Sequence, residues 1–257
     1  MRGPGWEEVI IHLPAHVAII ALSATVSNAE EFGAWIREVR STCEIIVSEK
    51  RPVPLYQHMI VGEDIFDLYA PTGKGKLNPE LVAATRDSGM RGGRGSRSWN
   101  HEVRVRRESR PSTLISLDRA RLLPAITFIF SRAGCEDAVR QILSTRITLT
   151  TRSEAAEIES YVDEVIALLP PEDAIVLGTE AWKRGLMRGI AAHHAGMLPL
   201  MKESVEHLFS RGLVKMVYAT ETLALGINMP ARTVVIESPK KWNGSAHVSL
   251  SAGEYTQ

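Results

Sequence analysis

The sequence lacks the features that mark secreted, membrane-bound or metal-stabilised proteins. It has only two cysteines in 257 residues, Cys43 and Cys135, and their distance along the chain fits neither a disulfide framework nor a metal-ligand spacing. No apolar run reaches the roughly 18 residues of a membrane helix. Because Glu7 and Glu8 interrupt the first apolar segment, a signal peptide is not expected either. We therefore expect free thiols, a cytoplasmic location and no membrane partner.

An excess of charge of either sign is also missing. Thirty basic residues balance thirty acidic ones, and the formal net charge is zero. The chain as a whole therefore carries no nucleic-acid signature, although a nucleic-acid cleft needs only local basic patches. The hydrophobic content of 44% is that of an ordinary globular protein, and the length suits one large or two small domains.

The short motifs of several common catalytic sites are absent as well. The sequence has no G-x-x-x-x-G-K-[ST] phosphate loop, no Asp-Glu-x-His segment, no G-x-S-x-G and no catalytic cysteine–histidine signature. His193 and His194 are adjacent, but no further ligand follows them at a metal-binding spacing. We expect no metal site and no tightly bound cofactor in this chain.

What the sequence does contain is an alternation of short apolar runs with amphipathic segments. This pattern predicts an α/β fold with mainly parallel sheets covered by helices on both faces. The predicted helix starts include N-caps at Ser131 and Ser153 and a proline, Pro199, in the first turn of a helix ending at Phe209. The predicted strands cover residues 17–22, 44–47, 59–61, 125–130, 190–192, 214–219 and 233–236.

The most informative segment is Tyr218–Arg232, which leaves one predicted strand and enters another. Loops at the carboxyl ends of parallel strands carry the ligands of open α/β sheets. The hydroxyls of Thr220 and Thr222 and the exposed backbone at Gly226 suit a phosphate group. Gly226 and Asn228 are also residues that tolerate positive φ in a turn.

This segment resembles motif V of superfamily-two helicases of the superkiller type, the DExH-box RNA helicases, and among them the actinobacterial HelY-like proteins. Further segments resemble other parts of the same family in the same order. They are Ser23-Ala24-Thr25 (motif III), Arg51–Leu55 (the interdomain connection), Phe128–Ser131 (motif IV), Ile190–Pro199 (the segment before motif V) and Gly253–Gln257 (the approach to motif VI).

The resemblance implies two RecA-like units. Residues 1–51 would be the end of the first domain, and residues 52–257 most of the second, with a basic flexible insert at about 62–120. Since the nucleotide loop, the DExH segment and motif VI do not occur, the chain resembles an internal fragment whose partner is the missing remainder of the helicase. The intact parent would use ATP and Mg²⁺ to move along single-stranded RNA or DNA, and the isolated chain would lack ATPase activity.

The resemblance also assigns roles to individual residues. Ser23, Ala24 and Thr25 would couple the nucleotide state to the grip on the nucleic acid. The residues that would contact the nucleic acid are Ser131, Thr220, Thr222, Gly226 and Asn228. Ser131 could equally serve only as a helix cap, although a helix N-terminus is itself a natural phosphate site.

The segment between residues 86 and 110 has a different composition, with eight arginines. Arg91, Arg94 and Arg97 lie in a glycine-rich stretch that resembles RGG-type segments, which hold nucleic acid without strong sequence choice. A solvated insertion without a fixed partner is the alternative. For the whole chain, the alternative function is a non-catalytic nucleic-acid-binding or accessory module that works with another chain. An unrelated α/β protein is a third, weaker alternative.

Overall fold

The computed structural model describes residues 4–22, 29–48, 53–71, 75–91, 108–224, 229–242, 246–251 and 255. The chain forms two compact units. The first comprises residues 1–55 with 248–257, and the second comprises residues 56–247. None of the helices that the structure describes has the length and hydropathy needed to cross a membrane.

The first unit contains two helices, α1 (Pro4–His12) and α2 (Ala29–Arg40). The guanidinium of Arg40 holds the turn that follows α1, donating to the carbonyl oxygens of Leu13, Pro14 and Val17 at 2.5, 3.1 and 2.6 Å. Gly33 of α2 lies directly against Ile45, since a β-carbon at this position would come within 2.1 Å of the Ile45 side chain. A substitution at Gly33 would therefore displace residues 44–47.

The two strands predicted in this unit are not formed. Residues 18–22 and 42–48 are extended without a β-ladder, and the side chains of Ile20 and Leu22 are 87% and 91% exposed. A strand needs a neighbouring strand to satisfy its backbone groups, and the described residues place no strand beside either segment. The prediction of strands at 17–22 and 44–47 was therefore wrong, because apolar composition alone does not create a ladder.

The second unit contains the sheet and most of the helices. The helices are α3 (Pro79–Arg91), α4 (Arg110–Arg119), α5 (Arg132–Leu143), α6 (Arg152–Ile166), α7 (Pro171–Val176), α8 (Thr179–Met187) and α9 (Pro199–Ser210), with a 3₁₀ turn, η1, at Glu221–Ala224. The strands of the chain are β1 (His58–Val61), β2 (Asp64–Asp67), β3 (Ala125–Phe128), β4 (Ile190–His193), β5 (Met216–Ala219), β6 (Thr233–Ile236), β7 (Lys240–Trp242) and β8 (His247–Ser249).

The central sheet has the strand order β4-β5-β3-β6, and each neighbouring pair is parallel. The register aligns the last residues of the four strands, His193, Ala219, Phe128 and Ile236. The segments that follow the strands therefore meet along one edge of the sheet, which we call the carboxyl edge. The opposite side, where the strands begin, is the amino edge.

Two separate apolar cores lie on the two faces of this sheet. Side chains alternate between the faces along a strand, so that Ala191 and Val217 join the core formed with α6, α8 and α9. Ala192 and Tyr218 join the other core, formed with α4 and α5. The predicted α/β fold with helices on both faces of a parallel sheet is thus confirmed, and the architecture is consistent with a RecA-like domain.

Several predicted boundaries also agree with the structure. Ser131 caps α5, and Pro199 is the first residue of α9. The predicted cap at Ser153 was wrong, because Thr151 caps α6. The Thr151 hydroxyl accepts from the Glu154 amide at 3.2 Å, and the Glu154 carboxylate accepts from the Thr151 amide at 2.6 Å. This reciprocal capping box satisfies two backbone donors, whereas a cap at Ser153 would satisfy at most one.

The range expected as a flexible insert, residues 62–120, is too wide. It contains β2, α3 and α4, and Leu114 and Leu117 of α4 are buried in the core. The density of arginines in the sequence obscured these two leucines, which lie three residues apart on one helix face. The arginine-rich stretch 92–107 lies outside the described residues.

Candidate nucleic-acid interface

The carboxyl edge brings together the start of α5, the start of η1 and the loop before α9. Each of these segments directly follows a strand of the sheet: β3, β5 and β4 respectively. Parallel strands followed by helices place helix N-termini, with their unpaired amide groups, along a single edge. The geometry of this edge thus follows from the strand order.

Ser131 caps α5 and is exposed to solvent. Its hydroxyl oxygen accepts from the amide of Gly134 at 3.1 Å, which leaves the hydroxyl hydrogen available as a donor. The amides of Arg132 and Ala133 form no hydrogen bond within the described part of the chain. The start of α5 therefore presents three donors and the positive end of a helix dipole, an arrangement that suits a phosphate.

Thr220 and Thr222 have different environments although they are close in sequence. Thr220 is 8% exposed, and its amide donates to the carbonyl of His193 at 3.2 Å. Thr222 is exposed, and the two hydroxyl oxygens are 3.0 Å apart. If the Thr220 hydroxyl donates to Thr222, the Thr222 hydrogen is directed outward. Thr220 is thus placed to orient the Thr222 hydroxyl, and Thr222 is placed to contact a phosphate.

His193 is buried at the end of β4, with only 3% of its surface exposed. Its Nε2 lies 2.7 Å from the Glu206 carboxylate of α9. Its Nδ1 is buried and has no hydrogen-bond partner among the described residues. The pair joins β4 to α9 and thereby fixes the main-chain carbonyl that receives the Thr220 amide.

His194 is also buried and is paired with an acidic side chain. Its Nδ1 accepts from the amide of Gly196 at 3.2 Å, so its Nε2 carries the hydrogen that is donated to Glu136 at 2.8 Å. Gly196 has little space beside it, since a β-carbon there would lie 3.2 Å from the His194 ring and 3.5 Å from Cδ of Arg132. The loop before α9 is therefore packed closely against the start of α5.

A buried ion-pair cluster supports the same edge from the side of β6. Arg110, at the start of α4, donates through Nε and Nη2 to both carboxylate oxygens of Glu237 at 3.0 and 3.1 Å. Its Nη1 donates to Asp137 of α5 at 3.0 Å. Arg110 and Glu237 side chains are 17% and 13% exposed. The hydrogen bond from Arg140, followed by those from Gln141 and Arg110, holds the pKa of Asp137 below its usual value, although burial acts in the opposite direction.

Sequence reasoning missed this cluster and had counted Arg110 among the basic residues of the arginine-rich segment. Its partner Glu237 is 127 residues away, so no local pattern could have indicated the pair. The two histidines were noticed only as metal candidates. The described residues contain no group of three His, Cys, Asp or Glu side chains that could hold a metal ion.

The only cysteine near this edge is not a nucleophile. Cys135 is fully buried in α5, and burial, followed by the charge of Glu136, raises the pKa of its thiol to about 12. Both cysteines are free, as the sequence predicted. The chemistry of the carboxyl edge is therefore that of hydrogen-bond donors and not of covalent catalysis.

The remaining predicted site residues lie outside the described part of the chain. Ser23, Ala24 and Thr25 belong to this group, as do Gly226 and Asn228. Arg91 is the last residue of α3, but its side chain is not described, and Arg94 and Arg97 follow it in the undescribed stretch. Their assignments remain predictions.

Comparison with known proteins gives relatives along the whole chain, although no family model matches. The chain is 50% identical over 270 residues to "Probable helicase HelY" of Mycobacterium leprae, covering all of the chain and 29% of that protein. It is 40% identical over 269 residues to "Superkiller complex protein 2" of Homo sapiens, covering all of the chain and 21% of that protein. It is 39% identical over 288 residues to "DExH-box ATP-dependent RNA helicase DExH15 chloroplastic" of Arabidopsis thaliana, with 24% of that protein covered. The chain thus spans less than a third of the length of these curated relatives.

Proposed function

The chain belongs by sequence to the DExH-box helicases of the HelY and superkiller type, and we propose that it supplies a strand-gripping and coupling portion of an ATP-driven helicase. In this proposal residues 1–51 belong to the first RecA-like domain and residues 52–257 to the second. The intact protein uses ATP and Mg²⁺ to move along single-stranded RNA or DNA. The phosphate loop and the DExH acid are not in this segment, so the segment alone does not hydrolyse ATP.

The observation that carries the proposal is the alignment of Ser131 and Thr222 along one edge of the parallel sheet. Both follow strands that are paired in register, Phe128 with Ala219, and both side chains are exposed. A nucleic acid is held without sequence choice mainly through its phosphates, which accept hydrogen bonds from hydroxyls, amides and helix N-termini. The carboxyl edge provides all three kinds of donor.

The charges at the carboxyl edge suit phosphate contacts that form and break repeatedly. Two cations near the edge are already paired, Arg110 with Glu237 and Lys241 with Glu221, whereas Arg132, the first residue of α5, is exposed and forms no salt bridge within the described residues. The phosphate contacts would therefore combine Arg132 with amide and hydroxyl donors, whose hydrogen bonds to a charged partner contribute about 1.5–3 kcal/mol each. A motor that must step along a strand requires contacts of this moderate strength.

The test introduces a negative charge at the cap of α5. Ser131→Asp keeps a good N-cap residue but places a carboxylate where the phosphate would bind. We expect the affinity for a single-stranded RNA, measured by fluorescence anisotropy, to fall at least about tenfold. This fall corresponds to about 1.4 kcal/mol. Ser131→Asn, which caps the helix without charge, should retain affinity within about threefold.

Ser144 provides the matched control, because it lies at the other end of the same helix and is also exposed. Ser144→Asp adds the same charge to α5 at the amino edge and should leave RNA affinity nearly unchanged. Equal losses in Ser131→Asp and Ser144→Asp would indicate a nonspecific charge effect and would contradict the proposed interface. In the intact protein, Ser131→Asp should also raise the RNA concentration that gives half-maximal ATPase stimulation. RNA binding without any ATPase activity in the intact protein would instead favour the non-catalytic binding module.

A further inference from the structure

A second site with basic character lies at the amino edge, on the side of the unit opposite to the strand-gripping residues. A cavity of about 320 Å³ is formed there between the loop before α6, the first turn of α6 and the last turn of α8. Its wall includes Thr148, Thr150, Arg152, Arg184 and Arg188. Arg188 is followed by Gly189 and then by β4, so the cavity lies where the strands begin.

Three arginines and no acidic residue line this cavity. Arg152 and Arg184 are exposed, and neither forms a salt bridge within the described ranges. The cavity therefore has a net positive charge that the protein itself leaves uncompensated.

One of the three guanidinium groups is held in a fixed orientation. Arg188 donates through Nη1 to the carbonyl oxygens of Leu143 and Thr145 at 3.3 and 2.9 Å. Its Nε and Nη2 groups have no partner among the described residues. Anchoring one nitrogen reduces the entropy lost when the others bind, and a guanidinium with two free N–H groups matches the oxygen geometry of a phosphate.

The start of α6 adds to the attraction for an anion. This helix begins at Arg152 and has fifteen residues, so the positive end of its dipole adjoins the cavity. The nearby carboxylate of Glu154 does not cancel this effect, since it is bound by the Thr151 amide at 2.6 Å and by Lys215 at 2.9 Å. The hydroxyl of Thr150 is bonded to the Met187 carbonyl at 2.5 Å, which fixes the loop wall to α8.

From these observations we infer that the amino-edge cavity binds the terminal phosphate group of a small molecule. The volume of about 320 Å³ is close to the lower limit of about 300 Å³ for small-molecule sites, so it suits a single phosphate-bearing group. The apolar part of the wall, which includes Met187, would accept the remainder of such a molecule. The cavity would therefore distinguish a compact phosphomonoester or pyrophosphate from the phosphodiester backbone held at the opposite edge.

Calorimetric titration of the full chain with pyrophosphate, and separately with AMP, tests this inference. We expect saturable binding of both probes and a loss of at least about tenfold in affinity in Arg152→Ala/Arg184→Ala, since this variant removes two of the three charged donors of the cavity wall. Arg146→Ala is the matched control. Arg146 is an exposed arginine just before the same loop and is not part of the cavity wall, so its removal should change affinity less than about twofold.

Three results would overturn the inference. They are the absence of saturable binding to the wild type, equal effects of the double variant and Arg146→Ala, and binding of an oligonucleotide without terminal phosphates that depends on Arg152 and Arg184. If the double variant does not fold, hydrogen exchange of the wild type decides the matter. Protection by pyrophosphate confined to residues 148–155 and 184–188 supports the site, and protection elsewhere refutes it.

Discussion

The two edges of the central sheet meet anions in different ways. At the carboxyl edge most donors are amides and hydroxyls beside the exposed Arg132, and the nearby cation Arg110 is neutralised by Glu237 and Asp137. At the amino edge the donors are guanidinium groups, and Arg152 and Arg184 have no acidic partner among the described residues. The same sheet therefore offers several individually weak phosphate contacts at its carboxyl edge and a cluster of positive charges at its amino edge.

This difference has a structural cause. Helices that follow parallel strands start at the carboxyl edge, so amide and hydroxyl donors collect there without any need for charge. At the amino edge the helices that follow the strands end, and apart from the start of α6 the donors are side chains. We conclude that backbone topology provides most of the strand-gripping edge, whereas arginine side chains provide most of the amino-edge cavity.

The largest expected effect comes from removing Arg110. Arg110→Ala leaves Glu237, 13% exposed, without its bidentate partner, and breaking a fully buried pair costs about 3–5 kcal/mol. Because Arg110 is partly exposed, we expect a loss of about 2–3 kcal/mol in the free energy of unfolding, below that range. Chemical denaturation followed by circular dichroism measures the loss.

Arg140→Ala is the control for this prediction, since Arg140 also binds Asp137, at 3.3 Å, but is 70% exposed. Exposed pairs contribute about 0–1 kcal/mol, so this variant should be nearly as stable as the wild type. Similar losses in the free energy of unfolding in the two variants would mean that the bidentate bond between Arg110 and Glu237 does not stabilise the carboxyl edge.

The second prediction concerns the capping box at the amino edge. Hydrogen bonding to the Thr151 amide, followed by Lys215, lowers the pKa of Glu154. A carboxylate with a lower pKa in the folded than in the unfolded state stabilises the fold above the unfolded pKa of about 4.3. The stabilisation is lost as the pH falls through the folded pKa. Because glutamine can still accept from the Thr151 amide, Glu154→Gln removes mainly the charge that Lys215 pairs with; it should cost up to about 1 kcal/mol at pH 7 and progressively less as the pH falls below about 4.

Glu157→Gln on the same helix provides the comparison for that experiment. Its carboxylate is 46% exposed and binds Arg211 at the surface, so its loss should have little effect on the free energy of unfolding at pH 7. Urea denaturation of both variants at pH 7 and at pH 3.5 measures the difference. A constant deficit for Glu154→Gln at both values would show that its effect does not depend on charge.

Local patterns in the sequence predicted the sheet of the second unit well. The apolar runs at β3 to β6 were recognisable because each is short and rich in β-branched or aliphatic residues. Ser131 and Pro199 marked helix starts correctly for the same reason: caps and first-turn prolines act through adjacent residues. Predictions succeeded where the stabilising contact lies within a few positions of the residue itself.

Apart from the cap of α6, which is Thr151 and not Ser153, the failures concern contacts that are distant in sequence. The runs 17–22 and 44–47 have strand composition but no strand beside them in the described residues, and composition cannot report the presence of a neighbour. Arg110 looked like one basic residue among eight until its bond to Glu237 was known. The different roles of Thr220 and Thr222 depend on burial, which follows from the packing of η1 and not from the motif.

The smallest expected effects on the free energy of unfolding come from substituting these two threonines one at a time. Thr220→Val removes a buried hydroxyl that is 3.0 Å from Thr222, so the free energy of unfolding should fall by about 0.5–1 kcal/mol. Thr222→Val breaks the same hydrogen bond from the exposed side, so the free energy of unfolding should fall by a similar amount. Its RNA affinity should also fall about tenfold, as expected for the loss of one hydrogen bond to a charged phosphate.

The two threonine variants are most informative together. Thr220→Ser keeps the hydroxyl and should therefore be as stable as the wild type. If Thr220→Val lowers the RNA affinity, Thr220→Ser should have the RNA affinity of the wild type. If Thr220→Val weakens RNA binding more than Thr222→Val while both remain folded, Thr220 is the direct contact and the orientation of the pair is the reverse of the one inferred here. If neither change affects RNA binding, the phosphates are held by the start of α5 alone, and η1 is not part of the nucleic-acid interface.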